Sequence, residues 1–156
     1  MRSLLFITLA ALAFGQEKYT GPRPPKPDLL YLVHADNLIP TETADAKSES
    51  KHNDVVYTID GASSPARTPL AEPIFLIQAD KIQPQQLELY RLEVKGGRRE
   101  VNIATHHSRG GNRPLRLTVT PLGDRLYRVE ADEELDNGEY AISPNGSDTV
   151  FCFEVY

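Results

Sequence analysis

Two histidines stand side by side at His106 and His107, a third lies at His52, and the one cysteine is Cys152, near the end of the chain. Imidazole nitrogen and thiolate sulfur are the ligands that zinc and copper take, so these residues are the candidate metal centre. They would make the chain a metal-binding protein or a small metal-dependent enzyme built on His52, His106 and His107. The spacing argues against that. Adjacent residues on a strand point to opposite faces, so His106 and His107 cannot easily share one ion. A zinc site takes three or four ligands, and His34, His52 or Cys152 would have to converge on the pair from distant positions. Solvated histidines at a strand end account for His106 and His107 more simply.

Nucleophilic chemistry is no better placed. Ser63 and Ser64 lie in GASSPARTP, without the G-x-S-x-G turn that exposes a catalytic serine. Cys152 is followed and preceded by phenylalanine. A reactive thiol needs a cationic neighbour or a helix N-terminus, and the sequence around Cys152 offers neither. A small buried hydrophobe is the better reading. Gly110-Gly111 runs into Asn-Arg-Pro rather than a helix, so no phosphate loop is formed. The residues therefore nominate no catalytic group and no cofactor.

Binding chemistry leaves fainter traces. Sugar recognition favours exposed aromatic platforms; tryptophan is absent, and the tyrosines not in phase with buried strand positions are Tyr19 and one of Tyr31 or Tyr156. A single Arg-Gly-Gly triplet at 109–111 in an acidic chain of net charge -5 is no nucleic-acid signature. Charge is uneven. Residues 91–116 hold seven basic side chains against Glu93 and Glu100, and residues 117–156 hold nine acidic ones against Arg125 and Arg128. Oppositely charged strands paired across a sheet explain this without an anionic ligand. Asn145-Gly146-Ser147 fits a glycosylation sequon, but Asn-Gly is also a tight-turn signal.

The elements that would position these residues read as strands. DLLYLVH (28–34), VVYTI (55–59) and PIFLIQ (73–78) are short apolar runs. Leu115, Leu117 and Val119 alternate with polar residues, the pattern of a half-buried strand. Tyr127, Val129 and Ala131 follow a turn at Leu122-Gly123-Asp124, and Asn137-Gly138 and Asn145-Gly146 punctuate the last two strands. In Leu87–Val94 the apolar phase shifts by one residue, from Leu87 and Leu89 to Tyr90, Leu92 and Val94, which suggests a β-bulge. No segment carries a helical stripe. The expectation is an all-β, immunoglobulin-like or prealbumin-like antiparallel β-sandwich of about eight to nine strands, spanning residues 28–156. Thr41–Asp54 (TETADAKSESKHND) has only two alanines as apolar content and reads as a long polar loop, flexible or functional. With GASSPARTP and the basic 95–99 hairpin, it supplies the expected interaction surfaces.

The first residues point to export. Arg2 precedes the uncharged run Leu4–Phe14, too short to span a bilayer, and small residues at Ala13 and Gly15 allow a cut before Gln16. Residues 1–15 are thus a signal peptide and 16–27, with four prolines, a stiff tether. No later segment could form a transmembrane helix. A lone cysteine in an exported chain leaves stability to the core.

Two resemblances add to this. LDNGEYAI (135–142) resembles the L-x-P-G-x-Y-x-L segment of prealbumin-like and carboxypeptidase-regulatory-like sandwich domains, with Asn137 in place of proline. GASSPARTPLAEPIF (61–75), GEYAISP and VFCFEV resemble small exported proteins of soil bacteria. That resemblance implies a periplasmic or extracellular location and carries no activity or site residues. Together these readings describe a non-catalytic binding or structural module whose partner is an unknown protein or envelope component, with carbohydrate as the further alternative.

Overall fold

A computed structural model of the chain describes residues 18–51, 54–104 and 111–156. The described residues form thirteen strands, one 3-10 turn at Pro84–Gln86, and no helix long and apolar enough to cross a membrane. The fold is all-β and sandwich-like, as expected. It has more strands than the eight to nine anticipated, because several short ones lack an apolar signature.

Five strands make the first sheet: β1 (Leu30–His34), β2 (Asn37–Pro40), β7 (Ile74–Gln78), β10 (Leu117–Gly123) and β11 (Leu126–Ala131), in the order β10-β11-β7-β1-β2 and antiparallel throughout. The second sheet contains β3 (Glu42–Asp45), β4 (Lys47–Lys51), β5 (Asp54–Asp60), β8 (Leu87–Lys95), β9 (Arg98–Ala104), β12 (Gly138–Pro144) and β13 (Thr149–Val155), in the order β3-β13-β12-β8-β9-β5-β4. The two-residue β6 (Arg67–Thr68) runs parallel to the end of β13.

The two ends of this second sheet belong to one stretch of chain. β3 and β4 are separated only by Ala46, whose amide donates to the Asp148 carbonyl and prolongs the pairing with β13. β3 pairs with β13 and β4 with β5, so the sheet closes on itself. Going round, the wall is β3/β4, β13, β12, β8, β9 and β5. This overturns the reading of Thr41–Asp54 as a loop: Glu42–Asp45 and Lys47–Lys51 are the strands that close a small barrel, and Asp54 begins β5. The sequence conceals this because the inward positions are held by Ala44 and Ala46, and every described residue of β4 is exposed. Polar outward side chains then look like loop composition.

Three strands of the barrel, β8, β12 and β13, also face the first sheet, so both their faces are buried. Leu87, Leu89, Tyr140, Ile142, Phe151, Phe153 and Val155 point into the sandwich core, where they meet Leu30, Leu32, Phe75, Ile77 and Val129. Tyr90, Leu92, Ala141, Val150 and Cys152 point into the barrel with Ala46, Ile59 and Val101. The phase shift in β8 is explained by this double burial rather than by a bulge: its register with β12 is unbroken from Leu87 to Leu92. Leu87 and Leu89 serve one core, Tyr90 and Leu92 the other.

The sandwich core is aromatic. The Phe75 and Phe153 rings meet edge-on at 4.9 Å, and Tyr140 stacks on Phe153 at 5.5 Å. The Tyr140 hydroxyl donates to the Asp136 carbonyl at 2.8 Å, which ties the entry of β12 to its own turn. At the other end of the chain Pro24 is buried and Arg23 lies 3.5 Å from Asp124, so the prolines lie along the domain. Asp28 then accepts the amides of Asp80, Lys81 and Ile82. Burial raises its carboxyl, but these three donors outweigh that and hold it below the ordinary value.

Candidate functional site

In the barrel interior the buried apolar side chains leave part of the space they enclose unfilled. Alternation on β12 puts Tyr140 and Ile142 outward and Ala141 and Ser143 inward; on β13 it puts Phe151 and Phe153 outward and Val150 and Cys152 inward. The large residues go to the sandwich and the small ones to the barrel. The result is a cavity of about 240 Å³ lined by Ala46, Tyr57, Ile59, Tyr90, Leu92, Val101, Ile103, Ala141 and Val150. Its rim is polar, formed by Glu88, Ser143, Asn145 and Ser147, with the Asn145-Gly146 turn at the edge. Gly146 has φ +76, which the tight turn requires and L residues rarely adopt. Ligand sites recur in the mouths of β-barrels, and about 150 Å³ of apolar space admits a benzene-sized guest.

The wall beside the mouth is split. β8 and β9 pair only over Glu93–Lys95 and Arg98–Glu100, around the Gly96-Gly97 turn. Beyond that the two strands part, and a later segment bridges them: the Asn112 amide donates to the Asn102 carbonyl and the Leu115 amide to the Leu89 carbonyl, each at 2.8 Å.

Glu88 and Tyr90 share the inward face of β8. The Tyr90 hydroxyl donates to Glu88 at 2.8 Å and the Asn145 side-chain amide donates to the other carboxylate oxygen at 3.3 Å. Burial, with the Glu88 carboxylate beside it, keeps the Tyr90 phenol protonated well beyond its ordinary range.

The opposite end of the barrel is closed by charge. Arg99, fully buried, shares the inward face of β9 with Val101 and Ile103. Its guanidinium donates to both Glu42 oxygens at 2.7 and 2.9 Å and to the carbonyls of Asp60 and Gly61 at 2.9 Å. Glu139 stands 3.5 Å away and accepts the Ser64 amide. Burial pushes both carboxyls up. For Glu42 the bidentate bonds and charge of Arg99 outweigh burial and hold it below its ordinary value, while Glu139, farther from the guanidinium, stays above. Paired within itself around the buried Arg99, this cluster closes the barrel at that end.

The sequence-derived candidates are scattered. His52, His106 and His107 lie outside the described residues. His34 ends β1 exposed on the first sheet, whereas Cys152 is fully buried in the barrel, so these two do not meet. Among the described residues no three of His, Cys, Asp and Glu stand together to hold a metal. Burial pushes the Cys152 thiol up to about 12, against the pull of the Arg99 charge, which is the inert state expected of a core cysteine. Ser64 is buried with its hydroxyl donating to the Cys152 carbonyl. In GASSPARTP Ser64, Ala66 and Thr68 are buried and the residues between them exposed, and in the 95–99 hairpin Lys95 to Arg98 are exposed while Arg99 is inside. Tyr31 is buried; Tyr156 is 52% exposed, but the Arg67 guanidinium covers its ring at 4.3 Å.

Glu88, Tyr57, Tyr90 and Arg99 were not singled out from the sequence. A signal was present. Glu42, Arg99 and Glu139 are each in phase with inward apolar positions of their strands, which is unusual for charges that meet water. Compared with known proteins, the chain matches no family model, no curated sequence and no solved structure.

Proposed function

We propose that the chain is a non-catalytic binding module, exported to the bacterial periplasm or cell exterior, and that the barrel cavity is its ligand site. The observation that carries this is the preformed apolar cavity of about 240 Å³ behind a polar rim, left open because small residues face inward on β12 and β13. Its size suits a single ring or a short aliphatic chain, below the usual range for larger ligands. Export rests on Arg2 and the apolar run 4–14, and the bacterial setting on the resemblance of residues 61–75.

The test is titration of the native protein with 1-hexanol, followed by NMR. Shifts clustered at Tyr57, Ile59, Tyr90 and Val150, and abolished by Ala141→Leu, support the reading. Equal responses from wild type and Ala141→Leu would overturn it.

A further inference from the structure

We propose that the ligand is a small apolar amine, seated tail-first in the barrel with its ammonium group on Glu88; this rests on the cavity being the ligand site. Glu88 is half-buried, lines the mouth, and has no cationic partner among the described residues. Of the cations along this wall, Arg91 pairs with Asp136 and Arg116 turns towards Asp132 at 3.9 Å, while Arg113 makes no ion pair with Glu88 or with any other described acid. A carboxylate accepts about four hydrogen bonds. Glu88 receives two, from Tyr90 and Asn145, both neutral donors that fix its position and leave its charge unbalanced. Below it the walls are Ile59, Leu92, Val101 and Ile103. A guest complementary to both parts has an apolar body and a cation at one end.

The polarity of the site also sets the direction of entry. The carboxylate is at the mouth and the apolar walls lie deeper. A lysine side chain reaching in from a peptide would lead with its ammonium, carrying the charge past Glu88 into apolar surroundings at a large desolvation cost. A free amine enters with its tail and keeps its charge at the rim, half-solvated and paired. An anionic amphiphile would place its head against Glu88 and be repelled.

Hexylammonium, 1-hexanol and hexanoate at pH 7 separate these cases by calorimetry or NMR titration of the full exported domain. The expected result is hexylammonium about tenfold or more tighter than hexanol, as for a hydrogen bond to a charged group, with hexanoate weakest. Glu88→Gln should bring the amine to within about twofold of the alcohol, and an unfolding midpoint close to that of the wild type shows that the variant is folded. Equal binding of amine and alcohol by the wild type, or an amine preference that survives Glu88→Gln, would overturn the amine assignment and leave the cavity reading standing. No binding of any of the three would overturn both.

Discussion

The two faces of the β8–β12–β13 wall are made from alternate residues of the same three strands and are equally buried, yet only one is filled. Towards the first sheet stand Tyr140, Ile142, Phe151 and Phe153, interlocked with Phe75 and the leucines of β1. Towards the barrel stand Ala141, Val150 and Cys152, with Ala46 on the strand beside Val150, and Ala141, Val150 and Ala46 border open space. Two sheets can slide together until their side chains touch, at about 10 Å. A closed ring cannot, because its strands hold one another at hydrogen-bonding distance and fix the interior. Small residues inside a ring therefore become volume, whereas small residues between sheets would become a closer approach. Exclusion from water and close packing are separate properties, and the wall displays one on each side.

The sharpest way to break this contrast is to exchange the residue sizes. Phe153→Ala removes the ring that touches both Phe75 and Tyr140 and should cost about 3–5 kcal/mol in denaturant unfolding. Ala141→Leu, one residue along β12 from Tyr140, the register partner of Phe153, and on the opposite face, adds bulk to open space and should cost less than about 1.5 kcal/mol. Similar losses from both would show that the barrel is as tightly packed as the sandwich.

A second comparison sets the two ends of the barrel against each other. At the closed end Arg99→Met leaves Glu42 and Glu139 together without their cation, and should cost about 3–5 kcal/mol. Adding Glu42→Gln and Glu139→Gln should return part of that, since the penalty comes from uncompensated charge. At the mouth, Glu88→Gln should leave the unfolding midpoint nearly unchanged. A stability loss at Glu88 comparable with that at Arg99 would make the mouth a structural cluster too.

The smallest effect is the pH dependence of the closed end, where the two carboxyls act with opposite sign. Glu42 lies below its ordinary value of 4.5, so its contribution is present above that pH and is lost as the pH falls through its lowered value. Glu139 lies above 4.5, so its cost is present at neutral pH and is relieved as the pH falls through its raised value towards 4.5. Thermal midpoints of Glu139→Gln should lose the gain between neutrality and 4.5, and those of Glu42→Gln should lose part of the fall below it. Asp28, also held low, adds to the acid fall in both variants. A Glu139→Gln profile parallel to wild type across the upper window would show that Arg99 serves both carboxylates alike.

Much of the fold was legible in the residues. The alternation of Leu117 and Val119 with threonines is reproduced as half-buried and exposed positions of β10, and the turn at 145–146 falls between strands as expected, whereas the β10–β11 turn lies at 124–125, with Leu122 and Gly123 still in β10, and Gly138 opens β12. Cys152 is the core residue its neighbours implied. What was missed has one cause. β3 and β4 make their hydrogen bonds to β13 and β5, and they need only alanine inside a narrow ring, so no local apolar pattern marks them. The metal candidates drew attention by residue type, and the groups that gather in the structure are a glutamate and a tyrosine on β8.

By itself the sequence determined the apolar strands and which residues of each share a face, because alternation is a local consequence of the pleat. It could not say what each face would meet. Whether Tyr140 and Ala141 look onto water, a second sheet or the inside of a ring depends on pairings between residues as distant as Ala44 and Val150, and only the tertiary structure makes those. Closure of the barrel by β3 and β4 turned a polar stretch into a wall, inward alanines into a cavity, and Glu88 from one acid among many into a carboxylate at its mouth with no cationic partner among the described residues.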